Sequence, residues 1–195
     1  MSFTQTFQLQ ALAPFNFELS AQLSSSGDRE IRDYENGKFH QVLRLNGNLV
    51  LIRVTSNGKI EQPKLTVEVK SNKPITFHDK IKAKEVVNYI FNLSFDLSSF
   101  YKEVENDSEM KKITRQLYGL KNPTTPTVFE SLVDSIVEQQ ISIKVAHMIE
   151  QRLAKKFGEP LSVEGSTYFA YPTPKKHCSG QHKRNPKGWV KHAQS

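Results

Sequence analysis

The chain changes its hydrophobic rhythm about halfway along. Residues 6–12 alternate, with Phe7, Leu9 and Ala11 on one side, which is the period of a half-buried strand. Pro14 ends that run. Residues 15–25 admit two readings: Phe15, Phe17, Leu19, Ala21 and Leu23 fit a strand, while Phe15, Leu19 and Leu23 fit a helix ending near Gly27. Residues 24–36 are polar and read as loop, at least in part. Residues 39–45 and 49–55 then flank Asn46-Gly47-Asn48, a hairpin signal because a tight turn needs positive φ. Asn57-Gly58 marks a second turn, and Leu65, Val67 and Val69 form a third alternating run. The pattern predicts a small antiparallel sheet of about four strands with one face buried.

From about residue 80 the spacing becomes helical: Val86, Val87, Ile90 and Phe91; then Leu97, Phe100, Tyr101 and Val104; then Met110, Ile113 and Leu117. The best-specified helix starts at Thr127, preceded by Pro126, with Thr127 and Glu130 spaced as a capping box. Phe129, Leu132, Val133, Ile136 and Val137 give it an apolar stripe. After Glu138-Gln139-Gln140, Ser142 is placed to cap another helix carrying Val145, Ile149 and Leu153, with Gly158 as its C′ residue and Pro160 beyond. A β-rich half followed by a helical half predicts an α+β chain. The expected division is 1–80, a β-rich N-terminal domain; 81–174, a partial helical domain; and 175–195, a basic, disordered tail.

Charge changes less than it first suggests. The net charge is +7, but residues 175–195 hold six Lys or Arg and no acidic residue, leaving 21 basic against 20 acidic side chains upstream. The body therefore has no general affinity for a polyanion, and any nucleic-acid contact there must come from a local patch. The single cysteine, Cys178, rules out an intrachain disulfide framework and fits a reducing, intracellular compartment. The N-terminus lacks the basic and apolar regions of a secretory signal, and no stretch approaches the roughly 18 apolar residues of a membrane span. His177, Cys178, His182 and His192 match no standard zinc spacing, so no metal or other cofactor is expected. Asp134 and the 107–109 cluster read as solvated or capping charges, and Tyr168, Phe169 and Tyr171 as packing residues.

The series Thr125-Pro126-Thr127-Val128-Phe129-Glu130-Ser131-Leu132, Ile136-Val137-Glu138-Gln139-Gln140-Ile141-Ser142, Arg152-Leu153, Phe157-Gly158 and Tyr168-Phe169-Ala170-Tyr171-Pro172-Thr173-Pro174 resembles the helix-hairpin-helix superfamily of DNA glycosylases. The likeness is to the 3-methyladenine DNA glycosylase II type and its archaeal, 8-oxoguanine-glycosylase-like relatives. Asp96-Leu97, Phe100-Tyr101, Leu117-Tyr118-Gly119-Leu120 and Pro14-Phe15-Asn16-Phe17-Glu18-Leu19 extend it over residues 5–174. The resemblance implies a small TATA-box-protein-like β domain followed by helices flanking a cleft for double-stranded DNA. It also implies base-excision repair: a damaged nucleotide is flipped out of the duplex, at a cost of a few kcal/mol of unstacking, and the alkylated or oxidised base is released. On the same basis Gln139, Gln140 and Ser142 are expected to face DNA, with Gln140 filling the gap left by the flipped nucleotide. A carboxamide both donates and accepts, so it can answer the orphaned base.

The family continues from Pro-Thr-Pro into further helices, a phosphate-binding hairpin and an essential Asp, which stabilises the charge developing on the sugar. Nothing after Pro174 matches that pattern, and residues 166–195 contain no Asp or Glu. No catalytic residue is therefore assigned, and the chain alone is expected to be catalytically incomplete. The abrupt loss of pattern is what truncation or an out-of-frame end would produce. The alternatives are a noncatalytic nucleic-acid-binding or interaction module using the exposed apolar stripes, or a nonfunctional remnant.

Overall fold

A computed structural model describes residues 2–174. The expected basic tail, with His177, Cys178, His182 and His192, lies outside the described residues. Five antiparallel strands form one sheet: β1 (Phe3–Gln10), β2 (Arg32–Glu35), β3 (Lys38–Leu45), β4 (Asn48–Ser56) and β5 (Lys64–Ser71), in the order β1-β5-β4-β3-β2. Two-residue turns set the hairpin registers. Asn46-Gly47 joins β3 to β4 and Asn36-Gly37 joins β2 to β3, all four residues at positive φ. Such turns match the strand twist, and Asn and Gly tolerate them best. The second of these turns and the strand β2 lie in or beside the stretch read as loop.

One face of the sheet carries the main core. Leu45, Val50, Ile52, Val54, Leu65, Val67 and Val69 are buried there against two helices, α1 (Phe17–Ser24) and α2 (Phe77–Ile90). The ambiguous 15–25 stretch is thus a helix. Asn16 caps it by accepting from the Leu19 amide (3.2 Å), and Phe15 and Phe17 enter the core together. In α2, Ala83, Val87 and Ile90 face the sheet, and Thr76 and Asp79 form a complete capping box at its start.

The other face is not left to solvent, as the alternation suggested. A hairpin of β6 (Glu159–Val163) and β7 (Ser166–Ala170) packs Leu161, Val163 and Ala170 on Val42 and Leu51. The residues of β3 and β4 show why. Val42 and Leu43 are consecutive and both buried, as are Leu51 and Ile52, so these strands are apolar on both faces. Polar groups pin the hairpin's rim: Arg44 pairs with Glu159 (2.6 Å), and Arg53 (2.9 Å) and Lys70 both pair with Glu164.

The remaining helices are α3 (Ser98–Glu103), α4 (Ser108–Gln116), α5 (Val128–Val137) and α6 (Ile143–Phe157). Asp107 is the N-cap of α4, accepting from the Glu109 and Met110 amides, as its capping reading anticipated. The 117–121 segment after α4 is stitched to the β half. Gly119 accepts from the Asn16 amide (2.7 Å). The buried ammonium of Lys121 donates to the carbonyls of Leu12 (2.8 Å) and Leu93 (3.0 Å), and the Leu93 carbonyl also accepts from the Leu12 amide (2.8 Å). Its pKa is held below the ordinary lysine value by desolvation. No helix among the described residues is long and apolar enough to cross a membrane.

Candidate functional site

The two motif helices, α5 and α6, meet at residues 138–142. Thr127 starts α5 by accepting from the Glu130 amide (3.1 Å). The expected reciprocal bond of a capping box is absent: the Glu130 carboxylate is turned inward, to Arg32 and Gln41. Glu138 caps the C-terminus, its amide donating to the Asp134 carbonyl (2.8 Å). Gln140 then adopts a left-handed conformation, φ +60°, which reverses the chain within a few residues. Ser142 starts α6, its Oγ accepting from the Val145 amide (3.4 Å).

Gln139, Gln140, Ile141 and Ser142 are all exposed. The three residues singled out in sequence are thus brought together on one solvent-facing turn. A left-handed conformation costs a non-glycine residue roughly 1–2 kcal/mol, so this turn holds a strained backbone with a long carboxamide at its tip.

The apolar stripe of α5 does not enter the core. Its buried residues are Glu130 and Asp134, while Val128 is 75% exposed and Leu132 and Ile136 face outward. Ile143 at the start of α6 is 70% exposed. Leu132 and Val128 also line an open cleft of about 600 Å³ between α1, the 122–127 segment and α5, with Arg32 and Asp134 among its lining residues. The residues that α5 buries are thus Glu130 and Asp134, and those that α6 buries are Ala146, Glu150 and Ala154.

The three acids belong to a buried cluster missed in the sequence. Arg32 on β2 donates to Glu130 (3.1 Å) and lies 4.0 Å from Asp134. Gln41 on β3 donates to Glu130 (3.3 Å), and the Tyr171 hydroxyl donates to Asp134 (2.9 Å). Glu150 of α6 is buried beside them. Asp134 is therefore not the solvated charge expected, and Tyr171 is a hydrogen-bond donor as well as a packing residue. Burial pushes Glu130 and Glu150 up to about 7, against the opposing pull of Arg32. Burial likewise raises Asp134, and it raises the Tyr171 hydroxyl, with the neighbouring Asp134 adding to the effect. The available signal was Glu130 and Asp134, four residues apart and so on one helical face.

Gly158 departs from expectation in another way. It ends α6 in an extended conformation, φ −72° and ψ 173°, not a left-handed one. Glycine is needed for space: a Cβ there would lie 2.1 Å from the Ala170 carbonyl oxygen and 2.3 Å from that of Ala154. Among the described residues no group of three or more His, Cys, Asp or Glu side chains could hold a metal ion.

No protein-family model matches the chain. It is 28% identical over 136 residues to the DNA-3-methyladenine glycosylase of Bacillus subtilis strain 168, covering 64% of this chain and 45% of that one. It superposes on the 3-methyladenine DNA-glycosylase from Archaeoglobus fulgidus with a TM-score of 0.74 at 17% identity, covering 87% of this chain and 57% of that one. The Clostridium acetobutylicum 8-oxoguanine glycosylase/lyase, solved with double-stranded DNA containing cytosine opposite 8-oxoG, superposes with a TM-score of 0.64 at 20% identity, covering 90% and 55%. The chain is thus homologous to DNA glycosylases and has their fold, an α+β arrangement led by the β domain. It spans about half the length of the curated relatives it matches.

Proposed function

We propose that this chain forms the β domain and first helical portion of a base-excision repair glycosylase, and that it meets damaged double-stranded DNA through the 139–142 turn. The observation that carries the reading is the exposed, left-handed Gln140 at the tip of that turn, flanked by Gln139 and Ser142. A glutamine held there can enter a duplex and pair with a base whose partner has been flipped out, offsetting part of the unstacking cost. The homology to glycosylases supports the same direction.

The chemistry of excision needs a fixed carboxylate beside the sugar. Glu130, Asp134 and Glu150 are engaged in or buried beside the Arg32 cluster, Glu138 is the exposed C-cap of α5, and residues 166–195 contain no acid. The chain alone is therefore expected to release no base. A single-turnover assay on duplexes carrying 3-methyladenine or 8-oxoguanine checks this: background-level release is predicted, and any release at the rate of the Bacillus relative refutes it.

The exposed apolar residues Val128, Leu132, Ile136 and Ile143 favour a second reading, an interaction module that binds protein. Under that reading, Leu132→Asp abolishes association while leaving duplex binding unchanged.

A further inference from the structure

The α5–α6 pair rests on the sheet through one cation and three carboxylates, an unusual way to seat a helical hairpin. From β2 comes Arg32 and from β3 comes Gln41; from α5 come Glu130 and Asp134, with Glu138 at its C-terminus; from α6 come His147 and Glu150; after β7 comes Tyr171. The buried residues of α5 are Glu130 and Asp134, and those of α6 are Ala146, Glu150 and Ala154. Arg32 reaches Glu130 at 3.1 Å and Asp134 at 4.0 Å, whereas Oε1 of Glu150 is buried with no protein partner. With every carboxyl ionised, three negative charges would share one guanidinium in a site that water reaches poorly. Mutual repulsion and desolvation would then both oppose docking.

We propose that the Arg32, Glu130, Asp134 and Glu150 cluster is a proton-governed latch that seats the α5–α6 hairpin on the sheet, and with it the 139–142 turn. Protonation of Glu150 and Glu130 removes two of the three negative charges gathered around Arg32 and closes the latch. Their ionisation leaves buried charge without compensation and loosens it. The consequence for DNA rests on the function proposed above; the latch itself does not.

The direction in pH follows. Both glutamates sit near 7 in the folded state, above the ordinary value of 4.5. Between those values the folded chain holds more protons than the unfolded one, so the latch weakens as pH rises. The two glutamates contribute their full share to the closed state below about 4.5 and none above about 7. This is the reverse of a carboxylate stabilised by a salt bridge, which is lost on acidification.

Hydrogen exchange of the α5 and α6 amides in the full chain, from pH 5 to 8.5 and corrected for intrinsic rates, reads the seating without DNA. The opening constant is expected to rise up to about tenfold per pH unit between 5 and 7 for each titrating group, and then to level off. Glu150→Gln should remove one group's share of that rise and make the hairpin more protected at pH 8. The conservative Glu130→Gln, which keeps an acceptor for Arg32, should likewise flatten the profile. Glu109→Gln, on the exposed face of α4 and outside the cluster, should leave it unchanged. A flat wild-type profile overturns the latch, as does a Glu150→Gln profile as steep as wild type. Duplex binding by Gln140→Ala, measured separately, tests the DNA reading. Its failure with the exchange profile intact leaves the latch standing as a device of seating alone.

Discussion

Gly119→Ala is expected to lower the free energy of unfolding by about 3 kcal/mol or more, from the combined cost of a left-handed alanine and disrupted backbone pairing. Gly119 has φ +77°, a conformation that disfavours any Cβ. Space compounds the problem. The new methyl group would stand 2.8 Å from the Asn16 amide nitrogen, 2.9 Å from Cγ2 of Ile60 and 3.2 Å from the Phe15 carbonyl carbon. Two of these are backbone atoms and cannot swing away. Gly119 also accepts from Asn16 (2.7 Å), and its amide donates to the Tyr101 hydroxyl (2.9 Å), so relief by displacement breaks a bond on either side. Gly165 is the control, with φ +79° and nothing within 4 Å of a built Cβ. There alanine pays for conformation alone, about 1 kcal/mol. Urea midpoints of the two variants separate the contributions, and equal midpoints would show that the close approach at Gly119 is unimportant.

Phe91→Ala carries a comparable effect for a different reason, about 3–5 kcal/mol from lost burial and the cavity left behind. Phe91 follows α2 and is fully buried. Its ring lies 5.4 Å from that of Phe17 and 5.1 Å, edge-on, from that of Phe39. It therefore joins α1, α2 and β3 at one point, and its removal loosens all three. Phe95, four residues on, is 58% exposed, and alanine there should change stability by no more than about 0.5 kcal/mol. Denaturant unfolding of both variants checks the contrast.

Much of the fold was legible because local signals agreed with tertiary demand. Asn46-Gly47 could be read as a turn from its backbone preference, and β1, β3, β4 and β5 from their period. Thr127 and Ser142 were readable as helix starts because capping is a local interaction. The misses share a cause: each depends on a neighbour far away in sequence. The second covered face of the sheet needed the β6–β7 hairpin, more than a hundred residues beyond β4. The short strand β2 gains its identity from pairing with β3, although Asn36-Gly37 marked the turn.

The candidate site divides in the same way. The 139–142 turn was visible as a polar break between two apolar-periodic helices, and its geometry follows from the Ser142 cap and the left-handed Gln140. The support beneath it was not visible. Arg32 lies 98 residues from Glu130 and in a stretch that reads as loop. An acidic residue among apolar ones normally signals a solvated face. Here α5 inverts that rule, turning Glu130 and Asp134 inward and Leu132 and Ile136 outward.

The most direct test of the account is duplex binding by the turn itself. Fluorescence anisotropy with a duplex bearing an abasic-site analogue, at fixed moderate salt, compares the full chain, the chain without residues 175–195, and Gln140→Ala. Retained binding after the deletion, with affinity about tenfold weaker in Gln140→Ala, is predicted, since a base-filling side chain contributes on the order of 1–3 kcal/mol. Binding that vanishes with the basic segment and is indifferent to Gln140 would contradict it, assigning the affinity to phosphate attraction alone.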